Sequence, residues 1–146
     1  MIDLYPTTCN LCGGKVIYTS NATIYGKEYG SGRCYLCTSC RAYTGTHKPR
    51  PREALGILAD EDMRRTKIAC HALFDVRWQG KPKANKKRKD LYAWLAGKMG
   101  IPVGECHFGW FDINQLQKAY DILMETSDQE MKYDQYGRIY FGGETE

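Results

Sequence analysis

Four cysteines form two Cys-x-x-Cys pairs, Cys9 with Cys12 and Cys37 with Cys40, separated by 24 residues. The tight turn of such a pair points two thiolates at one ion, and two pairs supply the four ligands of a tetrahedral zinc site. The sequence therefore predicts one zinc ion bound by Cys9, Cys12, Cys37 and Cys40. Because four protein ligands leave no coordination position for a substrate, this zinc is expected to be structural.

The choice of ligands has an alternative, because Cys34 and Cys37 also have the Cys-x-x-Cys spacing. Threonine and serine lie between Cys37 and Cys40 and favour a turn, whereas tyrosine and leucine lie between Cys34 and Cys37 and suit a strand. We therefore expect Cys37 and Cys40 to bind the metal and Cys34 to be a buried free thiol. Replacement of one thiolate ligand by His47 stays open.

A second site is conceivable around the histidines. His71 and Asp75 are four residues apart on a predicted helix, and they could join His107, with Cys106 or His47, in a metal site or an acid and base pair. The protein would then be a metal-dependent enzyme. The alternative is that the histidines are structural and that the cysteines beside them are small core residues. The sequence has no nucleophile elbow and no phosphate-binding glycine loop, so a non-enzymatic protein is favoured.

A basic segment lies between the first two predicted helices and is interpreted as an inter-helix loop: seven of the thirteen residues from 77 to 89 are Lys or Arg, and none is acidic. Such a segment can follow a phosphate backbone, which predicts nucleic acid or a host nucleoprotein complex as the partner. A direct protein target with an acidic surface is the alternative. The candidate contact residues are Arg77, Lys81, Lys83, Lys86, Lys87, Arg88 and Lys89, with Lys48, Arg50 and Arg52 after the second cysteine pair.

The elements that would hold these residues follow from the apolar pattern. Residues 15–20 and 22–26 are rich in β-branched and aromatic residues and predict short strands. Three amphipathic helices are predicted, from a cap at Asp60 to about Trp78, from about Lys86 to Met99, and from a cap at Asp112. The expected apolar stripes are Met63, Cys70, His71, Phe74 and Trp78; Leu91, Trp94, Leu95 and Met99; and Ile113, Leu116, Tyr120, Leu123 and Met124.

These elements predict an α+β protein in which a small N-terminal zinc ribbon or knuckle β module, residues 1–50, packs against about three α-helices in residues 51–127. Residues 128–146, including the terminal GGETE, are expected to form an acidic, mobile tail. The charge is uneven: residues 1–120 carry 19 Lys and Arg against 10 Asp and Glu, and residues 121–146 carry 2 against 7. Because four zinc thiolates would add a net charge of −2, the charge of the whole chain says little about its partners, and local clusters of charge say more.

The surroundings of the chain are expected to be reducing. MIDLYPTT at the N-terminus has neither the basic nor the apolar part of a secretion signal, and no segment has the length and hydropathy of a membrane span. Seven cysteines are an odd number for a disulfide framework, so metal thiolates explain them better. A cytoplasmic protein without a membrane partner is therefore expected.

Several segments together resemble a known family: CNLCGGKV, YGSGRCYLCTSCRAYTGTH, LGILADEDMRRTKIACHALFD, YAWLAGKMGI and CHFGWFD. They are similar to the uncharacterised zinc-finger-containing domain family of phages and bacterial prophages, over roughly residues 9–124. In the family pattern a Cys-x-x-Cys pair leads into an aromatic residue, a glycine and a histidine, which correspond here to Tyr43, Gly45 and His47. The resemblance thus supports Cys37 and Cys40 over Cys34 as ligands.

What the resemblance implies about function is limited to a setting, because the family has no established activity. It implies a phage or prophage protein that works in the cytoplasm of the bacterial host cell. In that setting a nucleoprotein partner could be a host defence complex such as a CRISPR effector, and the protein would then be an inhibitor similar in role to an anti-CRISPR protein.

Overall fold

The computed structural model describes residues 2–142, which form two compact units. The first unit contains residues 2–64 and 109–112, and the second contains residues 65–108 and 113–142. The first holds the four-cysteine cluster and a small sheet, and the second holds most of the helical residues. The predicted α+β class, a zinc ribbon with helices, is confirmed.

The sheet of the first unit has three antiparallel strands in the order β1 (Val16–Ser20), β2 (Arg33–Cys37) and β3 (Tyr43–Gly45). The central strand is buried over four of its five residues, since it has a neighbour on each side. The core of this unit includes two cysteines of the predicted metal site, and its buried residues are Cys9, Val16, Tyr35, Cys37, Ala42, Ala54 and Leu58. Metal binding and core packing are therefore coupled in this unit.

The strand predicted for residues 22–26 is wrong, because a short helix, α1 (Ala22–Tyr25), occupies this segment. The amide of Asn21 donates from Nδ2 to the Tyr29 carbonyl (2.8 Å) and accepts from the Tyr29 N–H (3.2 Å). These two bonds fold the chain back before it can extend, and Gly26 ends the helix at φ 84°. A local side-chain interaction has overridden the β propensity of the segment.

Three longer helices follow: α2 (Glu61–Asp75), α3 (Ala84–Met99) and α4 (Ile113–Glu125). The predicted cap of α2 is present, because Asp60 Oδ1 accepts the N–H of Met63 at 2.9 Å. Gly100, at φ 72°, ends α3 in the left-handed conformation. Two short 3-10 turns, Val103–Glu105 and Phe108–Trp110, precede α4. None of the described helices combines the length and hydropathy that a membrane span requires.

The predicted apolar stripes are largely those that the helices bury, with corrections in α2 and α4. In α2, His71 is exposed, and Trp78 lies beyond the end of the helix at Asp75. In α4, Leu116, Ala119 and Leu123 are buried, whereas Met124 is 47% exposed. Steps of three and four residues keep the first three side chains on one face, and Met124 follows Leu123 by one residue, which turns it about 100° away. Other fully buried side chains of the second unit are Cys70, Phe74, Leu91, Leu95, Phe108 and Phe141.

A hairpin of β4 (Met131–Tyr133) and β5 (Ile139–Phe141) lies in the segment expected to be a mobile tail. Its turn is fixed by Asp134, whose carboxylate accepts the N–H groups of Tyr136 (2.8 Å) and Arg138 (2.9 Å). Phe141 is buried, and its ring centroid lies 4.6 Å from that of Trp94. The chain is therefore ordered at least to this strand, and the final residues of the predicted tail, 143–146, lie outside the described residues.

Candidate metal centre

The four sulfurs of Cys9, Cys12, Cys37 and Cys40 all lie within 4.8 Å of one another. The Sγ atoms of Cys9 and Cys40 are 3.7 Å apart, and those of Cys12 and Cys37 are 3.5 Å apart. Sulfurs at the corners of a tetrahedron around zinc, each about 2.3 Å from the ion, are about 3.8 Å apart. The arrangement therefore matches a tetrahedral zinc site, and the expected cofactor, a structural Zn²⁺, is supported by this geometry.

The two cysteine turns have the same backbone pattern. The N–H of Cys9 donates to the carbonyl of Gly14, and the N–H of Cys37 donates to the carbonyl of Ala42, both at 2.8 Å. In each turn the residue directly after the second cysteine donates its N–H back to the carbonyl of the first cysteine. Each pair of thiols is thus presented by one closed turn, and the two turns meet at their sulfurs.

The position after the second cysteine requires a left-handed backbone in both turns. Gly13 has φ 75° in the first turn and Arg41 has φ 69° in the second. Glycine adopts this conformation without a Cβ penalty, whereas arginine does not. The next glycine, Gly14, is needed for space, because a Cβ there would lie 2.7 Å from Ser39 Oγ and 3.0 Å from Cys37 Sγ.

Backbone N–H groups favour the thiolate at Cys37. The N–H of Cys40 and, against the effect of burial, the N–H of Ser39 lower the pKa of the Cys37 thiol to about 6. At Cys40 the N–H of Ala42 also favours the thiolate, but burial and the neighbouring cysteine sulfurs raise its pKa to about 12. Four crowded thiols cannot all ionise without a compensating charge, and a divalent cation supplies that charge.

Cys34 lies outside this cluster. It sits on β2 opposite Thr19 and Gly45, is 1% exposed, and burial raises the pKa of its thiol. His47 also does not belong to the cluster; its backbone N–H donates to the Glu53 carbonyl at 3.0 Å. A neutral buried thiol is the state expected of a core cysteine rather than a ligand.

The fold and this centre define a zinc-ribbon type of protein, with two cysteine turns at the edge of a small antiparallel sheet. The model of a family described as a zinc-finger-containing domain matches residues 5–126, and the chain belongs to that family. The predicted family resemblance is confirmed, although the match does not address a phage origin. No curated protein and no solved structure matches the chain.

The histidines of the second unit do not form a comparable cluster. His71 Nδ1 lies 3.9 Å from Asp75 Oδ2, and the His71 ring packs edge-on against Phe108 with centroids 4.8 Å apart. Partial burial lowers the pKa of His71, and Asp75 opposes this shift. The ring centroids of His107 and Tyr92 are 5.9 Å apart. Within the second unit, no described residue belongs to a group of three or more potential metal ligands.

The cysteines that adjoin these histidines are core residues. Cys70 and Cys106 are both 0% exposed, and burial raises the pKa of each thiol to about 11. Cys70 Sγ donates to the Leu116 carbonyl at 3.6 Å. Both side chains therefore act as small apolar groups, in agreement with the structural alternative.

The basic segment is not the inter-helix loop that the sequence predicted. α3 begins at Ala84, so Lys86, Lys87, Arg88 and Lys89 occupy its first two turns. The preceding Lys83 has φ 55° and stands at the N-terminal boundary of the helix. Only Lys81 and Lys83 of the candidate lysines lie in the connection between α2 and α3. Most of the positive charge is therefore held on a rigid element.

Arg77 requires a second correction, because it is buried rather than available to a partner. Its guanidinium donates to the carbonyls of Leu73 (3.0 Å) and Leu123 (2.6 Å) and to Thr126 Oγ1 (2.8 Å). The residue is 8% exposed, and its guanidinium lies 4.9 Å from the Phe141 ring centroid. Arg77 thus satisfies one carbonyl near the C-terminal end of α2 and one near the C-terminal end of α4, and it stabilises the second unit.

The remaining candidates have different surroundings. Lys86 Nζ lies 2.7 Å from Asp90 Oδ2, and the guanidinium of Arg88 lies over the rings of Trp78 (5.6 Å) and Tyr92 (5.0 Å). In the first unit, Arg50 Nε pairs with the Glu53 carboxylate at 3.0 Å. Arg52 lies over the Tyr18 ring at 5.0 Å, and Lys48 is exposed. These aromatic neighbours of the arginines were not part of the sequence prediction.

Proposed function

We propose that this protein is a non-enzymatic binding protein that contacts nucleic acid through a basic surface of its second unit, while zinc stabilises the first unit. The basic surface consists of Lys81, Lys83, Lys86, Lys87, Arg88 and Lys89. All six belong to one short stretch of chain and five of them are exposed. A partner that carries regularly spaced negative charge suits such a surface.

The observation that carries the proposal is the position of four cations in the first two turns of α3. The N-terminal end of a helix carries a partial positive charge, so lysine and arginine are unfavourable there. Among the described residues, only Lys86 of these four has a carboxylate within ion-pair distance, namely Asp90. The unfavourable charges are relieved when an anion binds, and a phosphate at a helix N-terminus also receives the dipole of the helix.

Arg88 adds a contact that is already oriented. Its guanidinium is stacked on Trp78 and Tyr92, so less side-chain freedom is lost when it binds a phosphate. Lysines at the other positions make contacts that position a nucleic acid and carry little sequence preference. We therefore expect binding that is sensitive to salt and tolerant of sequence.

Fluorescence anisotropy with labelled duplex and single-stranded probes tests the proposal. Lys81, Lys87 and Lys89 are changed together to alanine, which leaves the Lys86 ion pair and the stacked Arg88 in place. If each contacts one phosphate, the slope of log affinity against log salt becomes shallower by about 2.7 on duplex DNA, or about 2.1 on single strands. The matched control changes Lys98, Lys118 and Lys132 of the same unit and removes the same total charge.

The results separate the alternatives. Binding that is lost or weakened in the triple variant but kept in the control supports the proposal. If the wild type binds no DNA or RNA probe at low salt, or if both variants lose the same slope, the proposal is wrong. A direct protein target would then be the better hypothesis, and the inhibition of a host defence complex is one form of it. The phage setting of that form depends on the family resemblance alone.

A further inference from the structure

A groove of about 620 Å³ lies within the second unit beside the basic surface. Its volume is within the range of pockets that hold a small ligand, about 300 to 1,000 Å³. It is lined by residues from the end of α2, the start of α3 and the β4 and β5 hairpin. The zinc centre is in the other unit, and the salt-dependent contacts proposed above involve only the two lysines of this groove, Lys81 and Lys87.

One side of the groove is cationic. Lys81 and Lys87 line it, and neither has a carboxylate partner among residues 2–142. Arg77 also contributes to the lining, although its guanidinium is occupied by Leu73, Leu123 and Thr126. Glu130 is the carboxylate of the lining, so the lining carries three positive groups and one negative group. An anionic ligand is therefore favoured over a neutral or cationic one.

Another side of the groove is aromatic and apolar. Tyr133 and Met131 line it, and the Tyr133 side chain is held by a hydrogen bond from its hydroxyl to Asp90 Oδ2 at 3.1 Å. Lys86 Nζ lies 4.9 Å from the centroid of the Tyr133 ring. Tyr133 is 39% exposed. A partly exposed ring of fixed orientation, next to cations, is the arrangement on which nucleobases stack.

We propose that this groove accepts one nucleotide of a single strand, with its phosphate beside Lys81 and Lys87 and its base stacked on Tyr133. A base inside a duplex is already stacked and paired, so it cannot enter the groove without being extruded. The inference rests on the proposed function and narrows it. Single-stranded nucleic acid is the preferred ligand class, and a duplex contacts the lysines of the basic surface without placing a base in the groove.

The test compares Tyr133→Ala with Tyr133→Phe on fluorescein-labelled probes, a single strand of about 12 nucleotides and a duplex of the same length. Loss of one stacked base should weaken single-strand binding by about 5-fold to 160-fold in Tyr133→Ala. Tyr133→Phe keeps the ring but loses the hydrogen bond to Asp90, so it should weaken single-strand binding much less than Tyr133→Ala does. Duplex binding should be equal in all three proteins. Tyr133→Leu, which keeps apolar bulk without a ring, replaces Tyr133→Ala if that variant melts at a lower temperature.

The possible failures are distinguishable from those of the proposed function. If the ring variants bind the single strand as well as the wild type, or weaken duplex and single strand equally, the groove does not hold a base. The basic surface can still pass its own test with the triple lysine variant in that case. If the wild type binds neither probe, the proposed function and the groove inference are both wrong.

Discussion

The two cysteine turns provide an internal comparison at the left-handed position that follows each pair. Gly13 and Arg41 have nearly the same φ, 75° and 69°, but only the first is a glycine. A residue with a Cβ pays about 1 to 2 kcal/mol in this region, and glycine loses about 0.5 to 1 kcal/mol more chain entropy on folding. Arg41→Gly should therefore stabilise the zinc-bound protein by about 0.5 to 1 kcal/mol.

Arg41→Ala is the matched control, because it removes the same charge and side chain but keeps the Cβ. The measurement is the thermal unfolding midpoint of zinc-bound protein, where Arg41→Gly should melt about 3 °C above Arg41→Ala. Gly13→Ala should lower the midpoint by a similar amount, since it introduces the strain that Arg41 already has. If Arg41→Ala is as stable as Arg41→Gly, the left-handed backbone does not limit the stability of the second turn.

Three further predictions concern the stability of the two units: two of them test the second unit and one tests the first. Arg77→Met should destabilise the second unit by at least about 2 kcal/mol in denaturant unfolding, because buried carbonyls lose a charged donor; a change below about 0.5 kcal/mol would contradict the structural role of Arg77. Gly56→Ala should prevent normal folding of the first unit, since its Cβ would overlap the Gly109 carbonyl oxygen. A circular dichroism melt like that of the wild type would show that the backbone segments around Gly56 and Gly109 are not in contact. Burial lowers the pKa of His71, so the unfolded chain takes up the proton first and stability should fall as pH drops through about 6.5; His71→Gln should reduce that fall, and an unchanged pH profile would exclude His71 as its source.

The metal centre could be predicted from the sequence because its signal is local. Cysteine spacing and the turn residues between Cys37 and Cys40 indicate the pair, and the ordinary strand preference of Tyr35 and Leu36 indicates why Cys34 is elsewhere. The arrangement of the four sulfurs then depends on β1 and β2 pairing in register, with Val16 opposite Cys37. The sequence thus indicates which four cysteines bind the metal, whereas the distances between their sulfurs are set by the pairing of β1 and β2.

The errors arose where tertiary contacts outweigh residue type. Arg77 was assigned to a basic loop because its neighbours are basic, yet it follows Cys70 by seven residues and Phe74 by three, which places it on the buried face of the chain leaving α2. That spacing was a usable signal. The hairpin at residues 131–141 was harder to predict, because its short strands are stabilised by Phe141 packing on Trp94, far away in the sequence.

The helix start predicted at about Lys86 is within two residues of the observed start, Ala84, but the basic residues of its first turns were assigned to a loop for a different reason. Sequence rules place lysine late in a helix and acidic residues early, and residues 84–89 have the opposite charge pattern. The helix forms nonetheless, because Leu91, Trp94, Leu95 and Met99 bury its later turns. The conflict between helix polarity and charge is the same feature on which the proposed anion binding depends.

The central claim is that one zinc ion is held by Cys9, Cys12, Cys37 and Cys40 and maintains the first unit. Native mass spectrometry of the wild type, Cys34→Ser and Cys40→Ser tests it most directly, because Cys37 is common to both candidate pairs and only Cys34 and Cys40 discriminate between them. We predict one zinc per chain in the wild type and in Cys34→Ser, and loss of zinc at the same chelator concentration in Cys40→Ser. Retention of zinc by Cys40→Ser together with its loss from Cys34→Ser would contradict the claim.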